Sequence, residues 1–353
     1  MRPVVQRLQP VVSIRRALAY MTLVGLGVLF LWLTLQVDLV IFSGVLLAIC
    51  LRRAADGSSR FIKVPPRWAM AAIVLLLLAF FVAMGWFFSR EIAGQIDQLS
   101  RQLPAAVKKI GTMIGQSSLG QTLTQHLNIE DIQTSPSDIL KGFFGTAMNL
   151  VEVVGAVVVM LFLGVYFAAE AELYTNGLLR LVPPARRPRA AEILHETASA
   201  IWYWMMGRLF SMTVLGVLTA LGLWVIGAPL PVALGFLAGI LAFVPYIGAI
   251  ASAIPSVLMA AAVNLNLAIY VVILYLGLHL IEGYLLVPLV QRRIVHLPPA
   301  LTLSAQLLLG LLAGLLGLLL ATPLVAAVLV LVRMVYVEDV LGDRGSTLPH
   351  PAE

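Results

Sequence analysis

The sequence predicts an all-α polytopic membrane protein. It should have about six spanning helices plus two re-entrant helical hairpins entering from opposite sides, or else eight simple spans, with an amphipathic helical segment outside the membrane. Three observations carry that expectation. Apolar residues make up 61% of the 353-residue chain and charged residues 11%, where a soluble domain carries about 25% charged. The mean hydropathy is +0.99. The apolar residues fall in long runs without the two-residue alternation of barrel strands. A soluble cytosolic enzyme and a disordered chain are excluded on the same grounds.

The elements follow in order. A basic start (Arg2, Arg7, Arg15, Arg16) leads into an apolar run that is long and followed by further runs, so it reads as a retained first helix rather than a signal peptide. Runs at 17–35, 37–51 and 68–88 give a three-span unit over 1–90. The second is short and relies on snorkelling Arg52 and Arg53. From 91 the chain turns amphipathic. Ile92, Ile96, Leu99, Leu103, Val107, Ile110 and Ile114 form one stripe near coiled-coil spacing. Residues 91–142 are therefore expected as an extracytoplasmic helical segment, packed on its own chain or on a neighbour. A transport-type core follows over 143–338, and 339–353 reads as a disordered tail. The core opens with a run at 143–169. An inner segment with Pro183, Pro184 and a basic cluster then leads through Trp202, Tyr203 and Trp204 into a run at 201–226.

Two later runs, 232–263 and 301–332, are each about 48 Å if straight. Neither contains a charge, and both contain helix breakers: Pro245, Gly248 and Pro255 in the first, Gly310, Gly314, Gly317 and Pro323 in the second. Orientation adds a parity argument. The positive-inside rule places the N-terminus, the loop with Arg52, Arg53, Arg60, Lys63 and Arg67, and the loop with Arg180–Arg189 in the cytoplasm. Arg292 and Arg293, after the run at 267–290, should also be inside. The run at 232–263 must then begin and end outside, as a hairpin; the same logic brings 301–332 in from the inside and leaves the C-terminus cytoplasmic. Broken backbone at membrane depth needs a protein or water-filled lining. An internal repeat supports the pairing. Leu234-Gly-Phe-Leu-Ala-Gly-Ile-Leu-Ala242 aligns with Leu309-Gly-Leu-Leu-Ala-Gly-Leu-Leu-Gly317, and Ala253-Ile-Pro255 echoes Ala321-Thr-Pro323. Inverted repeats are a common plan of secondary transporters. The Gly-x-x-x-Gly pairs in both units read first as ordinary helix packing.

Chemistry-bearing residues are few. There is no Gly-Lys dipeptide for a phosphate loop, His195-Glu196 lacks the second His of a zinc protease, and no residue set has metal-ligand spacing. No enzyme activity, cofactor or metal is expected. Cys50 is the single cysteine and reads as a core residue. The net charge of +6 sits between apolar runs, so it orients the chain and is no nucleic-acid footprint. Glu282 lies within the run at 267–290, three residues after His279 and on the same helical face. It is either a binding or coupling carboxylate or a packing partner of His279. Glu152 is near a span end and can snorkel. Tyr246, Ser252, Ser256, Thr302, Ser304, Gln306 and Thr322 could line a polar pathway or bond locally.

These C-terminal residues resemble the autoinducer-2 exporter-like permease family, the PerM-type permeases. The resemblance rests on Phe243-Val-Pro-Tyr-Ile-Gly248, Pro255, Glu282-Gly-x-x-Leu-Val-Pro288, Leu297-Pro298, Gly310, Gly317 and Ala321-Thr-Pro323, with Tyr166-Phe167 and Glu170 upstream. The chain departs from the family pattern at Ala242 and Ala249. The resemblance implies an inner-membrane transporter without ATPase machinery, exporting a small polar solute such as autoinducer-2 or exchanging sodium and protons, and assembled as a homo-oligomer such as a pentamer. Glu282 and His279 would then be transport residues, with Pro245, Tyr246, Gly248, Pro255, Gly310, Gly317 and Pro323 at the hairpin gates and Ser304, Gln306 and Thr322 along the path. The rival expectation is a non-transporting membrane scaffold.

Overall fold

A computed structural model describes residues 14–62, 65–87, 150–286 and 297–343. The segment 91–142 with its Ile92–Ile114 stripe, Arg292 and Arg293, and the last ten residues lie outside the described residues. Every described element is helical. Helix α1 spans Ile14–Ile62, α2 Pro66–Phe87, α3 Leu150–Ala169, α4 Ala171–Arg180, α5 Arg187–Ile226, α6 Pro231–Leu241, α7 Ile247–Val263, α8 Leu265–Ile281 and α9 Pro299–Leu331. Prolines open α2, α6 and α9, where the missing N–H costs nothing and the fixed φ suits the first turn. Asn264 caps α8 by accepting from the Leu267 N–H at 2.7 Å.

The first correction concerns the expected spans at 17–35 and 37–51. They form one continuous helix of 49 residues, about 74 Å at 1.5 Å per residue. Only Gln36 separates the two apolar runs, and neither Gly nor Pro stands there. The polar Asp38 is satisfied within the helix, accepting from the Thr34 hydroxyl at 2.8 Å. Nothing therefore ends the first turn of the second run. Length and composition allow four described helical stretches to cross a bilayer, or five if α3 and α4, bent by 76° at Glu170, make one broken span.

Both long charge-free runs fold as helical hairpins. In the first, α6 and α7 are joined by the turn at 242–246, and Gly248 lies so close to the Leu241 carbonyl that a Cβ has no room there. In the second, Ala313 and Gly314 leave helical geometry; Gly314 has φ 62 and ψ −143, a conformation essentially reserved for glycine. The chain doubles back there. Gly317 packs on the Leu309 carbonyl, and Gln306 donates to the Thr322 hydroxyl at 3.2 Å although the two are 16 residues apart. In a straight helix that separation is about 24 Å. By length alone 299–340 counts as one span; the bond between its two arms makes it a hairpin.

The breaks are not where every candidate residue stands. Pro255 and Pro323 lie inside the returning arms, and Gly310 sits one turn before the bend in ordinary contact with Leu318. Tyr246, Ala313 and Gly314 carry the non-helical backbone. The register of the repeat also shifts. Pro255 and Pro323, and the close pairs Leu241/Gly248 and Leu309/Gly317, run in step to within one residue. The alignment of Leu234 with Leu309 falls about two turns out of that register. Gly235 and Gly239 pack on Ala220 and Gly216 of α5, so that glycine pair is a helix contact, as its spacing suggested.

Helix α5 is the hub. Its C-terminal half packs with α6, α7 and α8 through Leu223, Leu234, Ala260 and Val271, its middle with α6 and α8 through Leu215, Ala242 and Leu278, and Ile201 with α1 and α9 through Leu39, Leu46, Ala313 and Leu320. Helices α1, α2 and α3 make a second cluster around Leu51 and Ala168.

Candidate functional site

Arg208 stands near the middle of α5, inside an apolar stretch, with its side chain only 10% exposed. A guanidinium cannot discharge itself by deprotonation, so in such a place it needs acceptors. Two are supplied. Its Nη1 donates to Glu282 Oε1 at 3.2 Å, and its Nε donates to the Phe243 carbonyl at 3.0 Å. The second bond follows from the hairpin turn. The Ile247 N–H, which would serve Phe243 in an unbroken helix, instead bonds the Pro245 carbonyl at 2.7 Å. Arg208 supplies the missing donor and so ties α5 to the tip of the first hairpin. That 2.7 Å bond closes a γ-turn around Tyr246, whose φ of 64 and ψ of −58 are rare and strained for a residue with a Cβ. Trp204, one turn before Arg208, braces the turn edge-on against Phe243, with ring centroids 5.8 Å apart.

Glu282 is buried, with 7% of its surface exposed, and opens a short π-helical stretch, Glu282–Leu286, at the end of α8. Such widened turns often mark functional positions. Its other oxygen lies 3.9 Å from His279 Nδ1, whose side chain is half exposed. The close partner of Glu282 is thus Arg208, and His279 stands at the rim. A desolvated ion pair of this kind is expensive to assemble and expensive to break one-sidedly, about 3–5 kcal/mol when one partner is removed.

A cavity of about 300 Å³ opens over this pair. Its walls come from α5 (Trp204, Gly207, Arg208, Ser211), from the tip of the first hairpin (Pro245, Tyr246), from α8 and its π turn (His279, Glu282, Gly283), from Leu297 just ahead of α9, and from both arms of the second hairpin (Pro299, Thr302, Thr322). A smaller pocket of about 30 Å³ meets it at Arg208, Tyr246, His279 and Glu282 and runs toward Ser252 and Tyr275. Ser252, Ser256 and Tyr275 bond among themselves, Ser256 to the Tyr275 hydroxyl at 2.8 Å, which is the local role open to them. Among the described residues no three His, Cys, Asp or Glu converge as metal ligands.

The candidate residues from the sequence divide on this geometry. Glu282, His279, Pro245, Tyr246, Thr302 and Thr322 meet at the cavity. Gln306 is fully buried between the arms of the second hairpin; its Oε1 has no hydrogen-bond partner among the described residues. Ser304 is exposed, because it lies two residues from both buried Thr302 and buried Gln306 and so faces the other way. Gly248 and Gly317 sit at the close approaches of the two hairpins, Pro255, Gly310 and Pro323 lie within their arms, and none of the five lines the cavity. Helix α3 carries Glu152, whose side chain lies outside the described residues. The residue that sequence reasoning missed is Arg208. The signal was present: an arginine within the apolar run at 201–226 calls for a carboxylate partner, and Glu282 is the carboxylate available.

Comparison with known proteins gives a consistent family assignment. The family model described as AI-2E family transporter matches residues 19–336. The protein named "Putative transport protein MT0215" of Mycobacterium tuberculosis is 30% identical over 267 residues, 72% of each chain. "Putative transport protein YrrI" of Bacillus subtilis is 25% identical over 278 residues, covering 74% of this chain and 76% of its own. "Putative transport protein YhhT" of Escherichia coli K12 is 24% identical over 260 residues, covering 72% and 70%.

Proposed function

The chain belongs to the AI-2E transporter family, and from that premise we propose a secondary transporter that moves a small polar solute between its two helical hairpins, past the Arg208–Glu282 pair. The observation that carries this reading is the cavity itself. Both hairpins, the broken end of α8 and the only described buried ion pair converge on one space of about 300 Å³. Hairpins whose backbone breaks at membrane depth suit a translocation route. An autoinducer-2-like solute falls within this class.

The same reading places the protein in the inner membrane with the basic end cytoplasmic. Basic segments far apart in sequence meet at that end. Arg52 pairs with Glu172 at 3.1 Å, Arg53 donates to Ser199 at 2.6 Å, and Arg189 binds Glu192, Glu338 and Asp339. The π-helical stretch Val332–Val340 that continues α9 therefore belongs to the cytoplasmic face, where positive charge accumulates.

The test is flux through the purified protein in proteoliposomes, under imposed proton and sodium gradients. A panel of labelled organic acid, neutral polyol and sodium should show at least one gradient-driven flux, and Glu282→Gln should abolish it with oligomer mass unchanged. A folded protein that moves nothing in the panel is a scaffold, and the transport reading falls.

A further inference from the structure

We propose that the solute is a small hydroxycarboxylate, its carboxylate accepting from the uncommitted guanidinium N–H groups of Arg208 and its hydroxyl bonding Ser211. The inference rests on the transport reading for its role and on geometry for its chemistry. Arg208 has five N–H donors. Two are used, by Phe243 and Glu282; the remaining Nη groups have no partner among the described residues, and the residue lines the cavity. The Nη1–Nη2 edge of a guanidinium is a planar fork that matches a carboxylate with two parallel bonds. Glu282 takes only one Nη1 hydrogen, and at 3.2 Å that is long for a charge-assisted bond, for which about 2.7–2.9 Å is usual.

The group that best competes with a carboxylate for an arginine is another carboxylate. An incoming one displaces Glu282 toward His279, already 3.9 Å from its second oxygen. Ser211 lies three residues beyond Arg208 on the same face of α5. It is buried, lines the same cavity, and has no hydrogen-bond partner among the described residues. An arginine fork beside a free hydroxyl fits an acid carrying a hydroxyl near its carboxylate. The buried ring of Trp204 offers an apolar wall to the carbon skeleton.

The test uses the full chain in detergent, with lactate, acetate and lactamide as probes, read by calorimetric titration and by the shift in Tm. Lactate should bind more tightly than acetate, and lactamide at least tenfold more weakly than lactate. Glu282→Gln removes the competing carboxylate and should tighten lactate about tenfold. Arg208→Lys keeps the charge but loses the fork, and should weaken lactate at least tenfold. Ser211→Ala should bring lactate down to the affinity of acetate and leave acetate unchanged. Lactamide binding as well as lactate, or Glu282→Gln losing lactate, overturns the proposal. Because Arg208→Lys can also disturb folding, the Ser211→Ala and Glu282→Gln comparisons decide the matter alone. Flux separates the two claims. Sodium or polyol flux without lactate flux or binding overturns this inference and leaves the transporter standing. Lactate binding with no flux of any probe does the reverse.

Discussion

At the scale of single residues, the Arg208–Glu282 pair is where the account is most exposed to test. Each charge is buried and each is the close ionic partner of the other. Arg208→Met leaves Glu282 with only the distant His279 and leaves the Phe243 carbonyl without a donor. We expect a loss of about 3–5 kcal/mol of stability, seen as a lowered Tm in detergent. The Arg208→Met/Glu282→Met double variant removes both charges and should recover most of that loss while abolishing solute binding. A double variant as unstable as the single one would mean that the Phe243 bond, and not the ion pair, anchors the turn. Legibility at this scale was uneven. Glu282 stands out in sequence because it interrupts a charge-free run. Arg208 was hidden because an arginine beside Trp202, Tyr203 and Trp204 passes for an interfacial residue when helix depth is unknown. The Tyr246 turn could not be read at all, since a positive φ leaves no mark in sequence unless a glycine occupies it.

At the scale of elements, the two hairpins were legible from length, missing charge and clustered breakers, but the breaking residues were only partly so. Proline and glycine flag a region; the bend goes where packing allows it. Pro255 and Pro323 stay inside helices, while Ala313 and Gly314 turn the chain. The long α1 shows the opposite limit: two apolar runs looked like two spans because their combined length exceeds one crossing, yet a single Gln36 is no helix terminator. Glycine substitutions separate close approach from mere occurrence. Gly248→Ala and Gly317→Ala put a methyl group into a backbone carbonyl, and each should cost about 1–3 kcal/mol as overpacking does. Gly310→Ala meets only the Leu318 side chain at 3.6 Å and should change Tm little. Thermal unfolding of the three variants checks the order. If Gly310→Ala proved as damaging as Gly317→Ala, the second hairpin would not close as described.

At the scale of the whole molecule, α5 joins the basic end to the site. Arg189, near its start, is clamped by Glu338 at 2.7 Å and Asp339 at 3.1 Å to the π-helical stretch Val332–Val340 that continues α9, and Arg208 near its middle is clamped to the first hairpin and to α8. Both hairpins are thus referred to one helix, which suits a gate that must move its two halves in concert around a fixed site. Fold class and membrane residence were open to composition alone. How the second hairpin closes was not, because it depends on tertiary bonds such as Gln306–Thr322. The most direct test of a path between the hairpins is modification of its wall. In a Cys50→Ser background, single cysteines at Thr302 and at Ser304 lie on one arm of the second hairpin, one facing the cavity and one facing away. The measurement is whichever panel flux the Cys50→Ser protein carries in proteoliposomes, before and after treatment with a small charged thiol reagent. The account predicts that modification at Thr302→Cys stops the flux and that the transported solute protects the cysteine, while modification at Ser304→Cys leaves flux intact. Undiminished flux through a fully modified Thr302→Cys protein would contradict it.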